Sequence, residues 1–475
     1  MLNTLNDVLN NVDNFIWGMP LIILILFTGI LLTVRLRGLQ VRHLGKALHY
    51  VFHNEDDGEG EVTSFGALCT ALSATIGTGN IVGCATAIVA GGPGALFWMW
   101  LAAFFGMATK YAEGMLAVKY RVIAEDGHAL GGPFYYIEKG MGKNFKWLAK
   151  LFCVFGTMVG LFGIGTFTQV NGITSAVNNF FDPSNIHTIS LFGMNYSISV
   201  VVAGIIVTVC AGLVIIGGIK RISKVSEVIV PFMAVTYIGV CLIIVFTHLP
   251  QVPAAFAEIV QSAFGLKAVA GGAIGAMTVA MQKGIARGIF SNEAGLGSAP
   301  IAAAAAQTNE PVRQGLVSMT GTFIDTIIVC TMTGLAIVMT GAWDMGLEGV
   351  AVTTKAFALG LPFPAKVSAF ILMMCLVFFA FTTILGWAYY SERCLEYLVN
   401  GKKFVITAFK WLYILAVFIG PFMTVSAVWT IADICNGLMA FPNLVALLAL
   451  NGDVVSETRG YLERVGIVKT TVGEA

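Results

Sequence analysis

The run SATIGTGNIVG, Ser73 to Gly83, decides the fold of this chain. It lies inside an apolar span of about Phe65 to Ala90 and places glycines and threonines where lipid demands an unbroken helix. Irregular backbone persists at membrane depth only where it lines a protein cavity or a water-filled path. There the freed carbonyl and amide groups can bind a cation and an anionic group. We therefore expect an unwound backbone between Ser73 and Asn80, and the residues indicate a transporter.

The composition places the chain in a bilayer. Of its 475 residues, 57% are hydrophobic and 11% are charged, with a mean hydropathy of +0.84. Soluble domains contain about 25% charged residues. The net charge of +1 gives no indication of nucleic acid as a partner. The nine cysteines are scattered singly and the six histidines match no metal-binding spacing, so we expect no metal cluster or disulfide framework.

Eleven apolar segments are each about 20 residues or longer, which is the length needed to cross the hydrocarbon core. We predict spans at Phe15–Val34, Phe65–Ala90, Ala95–Tyr120, Trp147–Phe180, Tyr196–Gly217, Ile222–Phe246, Leu266–Gly284, Gly315–Ala342, Val367–Tyr390, Phe404–Gly420 and Phe422–Leu450. The seventh is short and rich in glycine.

Alternate loops between these spans carry nearly all of the lysine and arginine. One set holds clusters such as Arg35 to Lys46 and Lys220 to Lys224, and also Lys283, Arg287 and Arg313. Cytoplasmic loops carry the excess of Lys and Arg in membrane proteins. We therefore predict an outer amino terminus and a cytoplasmic carboxyl terminus. The basic stretch 35–53 is either an interfacial amphipathic helix or a charged connector.

The seventh span also contains clustered glycines, Gly271, Gly272 and Gly275 in VAGGAIGAM. It lies five segments after the second span. Paired glycine-interrupted spans in the two halves of a chain indicate an inverted-repeat transporter with its site at the membrane midplane. The alternative is close helix packing, because glycines let membrane helices approach one another. Thr75, Thr78 and Asn80 favour a binding role for the second span, since packing does not need their polar groups.

Three runs carry a resemblance to a known family. They are GTGNIVGCATAI from Gly77, GGPGALFWMWLAAFFG at Gly91 to Gly106, and RGIFSNEAGLGSAP at Arg287 to Pro300. Together they resemble the hallmarks of the sodium:alanine symporters, also called the alanine or glycine:cation symporter family. The similarity extends over nearly the whole chain.

This resemblance implies an all-α polytopic fold of the leucine-transporter type. That fold consists of two inverted repeats of five helices, and in this chain one extra N-terminal helix would precede them. The expected divisions are residues 1–64 for the extra helix and basic interfacial segment, 65–250 and 251–450 for the two repeats, and 451–475 for a cytoplasmic tail.

The resemblance also implies a site at the second span. The carboxylate of the substrate would meet the backbone amides of Thr78 and Gly79, with Thr75 and Asn80 beside them. Na⁺ would be bound by the backbone carbonyls of Ser73 and Ile76. Two adjacent hydroxyls in the ninth span, Thr382 and Thr383, would complete the cation site, unless they only bond back to their own helix.

Other expected site residues lie in the fourth, seventh, eighth and ninth spans. Trp387, one turn after Thr383, resembles a pocket tryptophan that excludes large side chains. Asp325 is an intramembrane carboxylate and is a candidate for a second cation or a proton. The remaining candidates for lining the substrate cavity are Phe167, Gln169, Gly272, Ala273 and Met277.

We therefore predict a secondary transporter of the bacterial or archaeal cytoplasmic membrane that imports small neutral amino acids, alanine or glycine, with Na⁺ and with no cofactor. The alternative within the family is a member that couples to H⁺ or prefers glutamine or serine. A membrane-embedded enzyme would need a nucleophile–base pair or a metal cluster, and the chain contains no HExxH or GxSxG motif. A sensor would normally carry an appended soluble module.

Overall fold

The computed structural model describes residues 2–53, 58–125, 127–191, 194–265, 272–422 and 426–466. Helices dominate it. Those of the first half are α1 Leu2–Ile16, α2 Met19–Arg35, α3 Leu39–Arg42, α4 Leu44–Phe52, α5 Ser64–Thr75, α6 Cys84–Gly91, α7 Gly94–Lys119, α8 Pro133–Gly140, α9 Lys146–Phe162, α10 Phe167–Phe181, α11 Ile198–Ile215 and α12 Gly218–Thr247.

The second half continues with α13 Val252–Ala263, α14 Ala273–Asn292, α15 Ala299–Ala303, α16 Pro311–Thr322, α17 Thr331–Thr340, α18 Val350–Gly360, α19 Ala365–Leu398, α20 Lys403–Ile419, α21 Ser426–Ala449 and α22 Asn451–Arg464. Two segments are π-helical, Gly79–Gly83 and Phe323–Cys330. Short 3₁₀ turns occupy Lys143–Phe145, Leu249–Gln251, Ala342–Asp344 and Gly420–Phe422.

Two small antiparallel hairpins lie in the loops. In one, β1 Val122–Ile123 pairs with β2 Ala129–Leu130. In the other, β3 Thr188–Leu191 pairs with β4 Met194–Ser197. The second hairpin follows α10, and the side chain of Asp182 stabilises it through hydrogen bonds. The carboxylate of Asp182 accepts hydrogen bonds from the backbone N–H groups of Ile186 (2.9 Å) and His187 (3.1 Å) and from Ser197 Oγ (3.0 Å).

The helical architecture is that of a multi-pass membrane protein. Within the described ranges, eight helical stretches are long and apolar enough to cross a membrane, and a bent pair, α5 with the segment 79–91, makes a ninth. Two of the predicted spans, α7 and α14, are not in this set; both contain charged residues, among them Lys110 in α7 and Lys283 in α14. The count of eleven spans stays a prediction.

One predicted boundary is wrong, because the seventh span runs further than expected. Residues 266–271, including Gly271, lie outside the described residues. From Ala273 the helix α14 continues without interruption to Asn292, past the predicted end at Gly284. Lys283 and Arg287, which the sequence assigned to a cytoplasmic loop, therefore lie within this helix.

The central helix of the fold is α7. It packs against α14 and α16, which come from the second half of the chain, and also against α2 and α13. The long helix α19 packs against α5, α9, α10 and α12. Small residues allow these close approaches, since a Cβ added at Gly386 would lie 2.8 Å from the backbone nitrogen of Ala74. This arrangement brings α19 against the second predicted span at its interruption.

Candidate functional site

The second span is broken in the middle. Helix α5 ends at Thr75, Ile76 and Gly77 are not helical, and the chain resumes at Thr78 with an axis bent by 52°. The side chain of Asn80 stabilises the break, because its Oδ1 accepts a hydrogen bond from Gly77 N–H at 3.0 Å. The unwound stretch is therefore shorter than the predicted Ser73–Asn80: helix or π-helix covers both of its ends.

The second broken helix is interrupted at a different place from the one predicted. Helix α14 stops at Asn292, and α15 starts at Ala299. Between them Glu293 has a φ of +56°, and two glycines also adopt positive φ, Gly295 at +89° and Gly297 at +81°. Only glycine adopts such angles without strain. The interruption is therefore carried by NEAGLGS, not by the glycines near Gly272.

Buried polar side chains hold this second break from two other helices. Glu113 of α7 accepts hydrogen bonds at Oε1 from Gly295 N–H (3.1 Å) and from Asn443 Nδ2 (2.6 Å). Asn443, in α21, also donates to the carbonyl of Gly295 at 2.9 Å. Buried backbone groups need such partners because an unpaired one costs about 1–3 kcal/mol. The break is thus a fixed feature of the fold.

The two breaks face each other. A Cβ added at Gly79, in the resumed half of the first broken helix, would lie 3.4 Å from Ser291 Cα, next to the end of α14. The buried carboxylate of Asp325 joins them. It accepts from Asn80 Nδ2 at 2.8 Å through Oδ1 and from Ser291 Oγ at 2.9 Å through Oδ2. The neighbouring Thr326 hydroxyl donates to Oδ2 as well, at 2.7 Å.

The ninth span contacts the first break through Thr383. A Cβ added at Gly77 would lie 2.5 Å from Thr383 Oγ1, so this hydroxyl lies directly against the unwound backbone. Its hydrogen is donated to the Phe379 carbonyl at 3.0 Å, which leaves oxygen lone pairs free. Thr382 also bonds back to Phe379, but its hydroxyl contacts Met233 Sδ of α12 at 3.6 Å. The structure therefore brings Thr383 to the break and turns Thr382 away from it.

The fourth span contributes Gln169 to the same place. Its Oε1 is buried without a hydrogen-bond partner and would lie 3.5 Å from a Cβ at Gly77. In the same helix, a Cβ added at Gly172 would lie 3.0 Å from Thr78 Cγ2. Phe167 lies elsewhere, against Gly420 beyond the end of α20. Residues two apart in a helix point in different directions, so these two candidates could not both reach the break.

Trp387 connects the ninth span to the second break. It is fully buried, and its Nε1 donates to Glu293 Oε1 at 3.0 Å. The other oxygen of Glu293 accepts from Ser298 Oγ at 2.5 Å. The Cβ of Trp387 packs on Gly165, in an interruption between α9 and α10 that the sequence did not reveal. The tryptophan therefore lies between two interruptions, one after α14 and one between α9 and α10.

Three predicted candidates lie far from this region. Gly272, Ala273 and Met277 are at the first turns of α14, whereas its break follows Asn292. At a rise of 1.5 Å per residue, the distance along the helix is more than about 20 Å. None of the three is buried. Their assignment to the cavity wall is wrong because it rested on the glycines as the position of the break.

Two predicted residues lie on the α5 side of the first break. Ser73 is buried and its hydroxyl donates to the Thr70 carbonyl at 2.7 Å. Thr75 lines a small cavity of about 20 Å³, room for a single water. The buried lysine Lys110 of α7 lines the same cavity. Sequence reasoning missed Lys110, although a lysine in an apolar segment is a recognisable signal.

Other residues around the breaks were also missed. Glu113, Ser291, Glu293 and Asn443 were not among the site residues predicted from the sequence. The signal for Glu293 was an acidic residue followed by two glycines within an apolar run, which is the same pattern of interruption that identified the second span.

The sequence is similar over nearly its whole length to known proteins. The model described as "Sodium:alanine symporter family" matches residues 2–472. An uncharacterized transporter of Haemophilus influenzae is 55% identical over 466 residues, which cover 98% of each chain. The sodium/alanine symporter AgcS of Methanococcus maripaludis is 45% identical, covering 96% of this chain and 97% of that one.

A third relative has a different substrate in its name. The probable sodium/glutamine symporter GlnT of Bacillus subtilis is 37% identical over 97% of this chain and 91% of its own length. Among solved structures, the transporter MhsT in complex with L-phenylalanine superposes with a TM-score of 0.58, covering 84% of this chain and 93% of that one. With 11% sequence identity, this likeness shows the shared fold alone.

Proposed function

Because the chain belongs to the sodium:alanine symporter family, we propose that it imports a small neutral amino acid, alanine or glycine, together with Na⁺. The observation that carries the proposal is the pairing of two helix breaks, with Gly79 of one against Ser291 of the other. Paired breaks of this kind supply unsatisfied backbone groups of both signs at one place. A zwitterionic amino acid bound together with a small cation needs N–H donors for its carboxylate and carbonyl oxygens for the positive charges.

The first break supplies the proposed substrate site. The chain resumes its helix at Thr78 and Gly79, and the first N–H groups of a helix have no partner within it. Together with the helix dipole they favour a carboxylate. Asn80 is proposed as a residue that shapes this end, and Gln169 as one that contributes a buried, unpartnered oxygen toward the ammonium group.

The α5 side of the same break supplies the proposed Na⁺ site. The last carbonyls of a helix have no partner within it, and Ser73 and Ile76 are at this end. Na⁺ prefers oxygen ligands, and Thr383 Oγ1 lies against the break. Thr382 would need another rotamer to take part, since its hydroxyl contacts Met233. Thr75 lines the same small cavity as Lys110 and is proposed to lie beside the substrate path.

Trp387 is proposed to set the size limit. Trp387 is buried, with its ring bonded to Glu293 at the second break and its Cβ against Gly165. A larger substrate side chain would have to displace this ring. Enlarging the contents of a close-packed site costs about 1–3 kcal/mol. Alanine and glycine fit such a limit, and leucine does not.

Alternating access is proposed to occur as the two halves of the fold move around this fixed site. Each proposed repeat contains one broken helix near its start: α5–α6 opens the repeat at 65–250, and α14–α15 follows the short helix α13 in the repeat at 251–450. The proposed orientation has an outer amino terminus, with 1–64 ahead of the repeats and 451–475 in the cytoplasm, in the cytoplasmic membrane of a bacterium or an archaeon.

The test is uptake of labelled L-alanine into proteoliposomes under imposed gradients. An inward Na⁺ gradient should drive accumulation, and replacing Na⁺ with K⁺ should abolish it. A pH gradient without Na⁺ should drive none. Serine, glutamine and leucine serve as competitors, and we expect only the small ones to compete. Accumulation that ignores Na⁺ would contradict the proposal.

Proton coupling is the second candidate, and one observation favours it. Asp325 is buried between the two breaks with Asn80 and Ser291 as partners. A carboxylate there can hold either a second cation or a proton. In the same vesicles, alanine uptake driven by an inward proton gradient alone would support this alternative. Inhibition by glutamine with high affinity would instead favour a preference like the one named for GlnT.

A further inference from the structure

A second cavity lies on the far side of Phe290 from the first break. It occupies about 160 Å³ between α1, α6, α14 and α21. A Cβ added at Gly79 would lie 3.6 Å from Phe290 Cδ1, so this ring separates the cavity from the proposed substrate site. Since one water needs about 10–15 Å³ of such space, the cavity holds a solute as large as a small amino acid.

The cavity is lined by charges of both signs. Asp13 and Asp433 supply two carboxylates, and Lys283 and Arg287 supply two cations. In the described part of the chain none of the four is in an ion pair within 4 Å. Arg287 lies instead over the ring of Phe290, with its Cζ 5.6 Å from the centroid.

One of the two carboxylates has a solvent-inaccessible oxygen that accepts no hydrogen bond. Asp13 Oδ1 is buried and has no partner. A buried carboxylate oxygen without a donor is costly, so its persistence needs a reason. A ligand with an N–H donor would satisfy it.

The amino-terminal helix is firmly held at this place. Trp17 Nε1 donates to the Asp433 carbonyl at 3.0 Å, which ties the end of α1 to α21. Gly437 of α21 allows the approach, because a Cβ there would lie 2.5 Å from Ile16 Cγ2. Asp13 lies one turn before Trp17, and Trp17 N–H donates to its carbonyl at 2.9 Å. The two carboxylates are thus presented by two helices fixed to each other.

We propose that this cavity is an outer binding site for a zwitterionic amino acid, distinct from the site at the helix breaks. Asp13 and Asp433 bind the ammonium group, and Arg287 and Lys283 bind the carboxylate. The proposal rests on the proposed function for the identity of the ligand. It gives the amino-terminal helix, which lies outside both repeats, a direct part in substrate capture.

Two simpler explanations of these four charged residues make different predictions in the test. The four charges could pair with one another when the outer side closes, with no ligand. The carboxylates could instead hold only Na⁺. The first account predicts one bound amino acid per chain, and the second predicts that Asp13 variants lose Na⁺ affinity without losing bound amino acid.

The experiment is saturation binding of labelled L-alanine to the purified full-length chain in detergent with Na⁺. We expect two molecules per chain in the unaltered protein and one in Asp13→Asn and in Asp433→Asn, each tested separately. Asp7→Asn removes an exposed carboxylate from the same helix and should leave two. A thermal melt of each variant confirms that it is folded.

Competition identifies the chemistry of the outer site. Alanine amide lacks the carboxylate and lactate lacks the amine, so neither should displace the second alanine, whereas glycine should. A stoichiometry of one in the unaltered protein overturns the outer site, as does a stoichiometry of two in either aspartate variant. Absence of any alanine binding would instead contradict the proposed function itself.

Discussion

Trp387 Nε1 donates a hydrogen bond to Glu293 Oε1 over 3.0 Å, and both residues are buried. One partner lies in the middle of the long helix α19, and the other begins the interruption after α14. The bond therefore fixes the orientation of a large aromatic ring relative to a helix break. A ring held in this way can limit the size of a solute without itself being displaced.

The size limit can be tested at Trp387. Trp387→Ala should let leucine inhibit alanine uptake, with an inhibition constant lowered about five- to 150-fold, because the steric cost of about 1–3 kcal/mol is removed. Trp387→Phe keeps most of the bulk but loses the bond to Glu293, and should keep leucine excluded while weakening alanine uptake. Trp147→Ala, at an exposed tryptophan, is the control. Unchanged leucine exclusion in Trp387→Ala would remove this residue from the site.

Gly77 should tolerate no side chain. A Cβ there would lie 2.5 Å from Thr383 Oγ1, so Gly77→Ala must move either the unwound backbone or α19. We expect Na⁺-driven alanine uptake to fall at least about tenfold, the equivalent of about 1.4 kcal/mol. Gly83→Ala is matched to it, since a Cβ at that π-helical glycine meets nothing within 4 Å. Equal uptake by the two variants would contradict the geometry.

The hydroxyl of Thr383 should matter for Na⁺ more than for alanine. Thr383→Val keeps the shape and removes the oxygen, and we expect the half-saturating Na⁺ concentration to rise about tenfold, with recovery in Thr383→Ser. The expectation follows from the loss of one interaction worth about 1–3 kcal/mol when the other partner is charged. Thr208→Val is the control, because its hydroxyl only bonds back to Gly204 in α11. If Thr383→Val and Thr208→Val have the same Na⁺ dependence, the cation is bound elsewhere.

Asp325 should be essential both for stability and for transport. Its carboxylate accepts from Asn80, Ser291 and Thr326. In Asp325→Asn one oxygen becomes an NH₂ group that cannot accept, so at least one buried donor loses its partner at a cost of about 1–3 kcal/mol. We expect a lower melting temperature in detergent and no concentrative uptake. Asp344→Asn, at an exposed carboxylate, should match the unaltered protein.

The hairpin β3–β4 should depend on the ionisation of Asp182. Hydrogen bonds from the Ile186 backbone N–H, from His187 N–H and from Ser197 keep the pKa of Asp182 below its ordinary value. A lowered pKa in the folded state means that the carboxylate stabilises the hairpin above the unfolded pKa, about 3.9. That contribution is lost as the pH falls through the folded pKa.

Hydrogen exchange of the hairpin amides measures this effect. At pH 7 the Asp182→Asn variant should exchange faster than the unaltered protein. At a pH below the folded pKa, after correction for intrinsic exchange rates, the two should converge. Equal protection at pH 7 would mean that Asp182 does not hold the hairpin. Asp453→Asn, in α22, leaves the hairpin bonds intact and serves as the reference.

The sequence by itself determined the class of the protein and one of its two breaks. Long apolar segments can satisfy their backbone in lipid only as helices, so composition and segment length were enough to predict a multi-pass helical protein. Ser73 to Gly83 revealed its break because glycine, threonine and asparagine are out of place in a lipid-facing helix. The motif resemblance added the family, and the family-model match confirmed it.

Only the tertiary structure decided which residues meet at the breaks. Gly271, Gly272 and Gly275 resembled an interruption, yet α14 is continuous from Ala273, and the chain turns at Glu293 instead. A glycine permits a break, but a break persists only where other helices satisfy the freed groups. Glu113 and Asn443 do so for Gly295. Both partners are far from Gly295 in the sequence, so no local sequence pattern can predict these contacts.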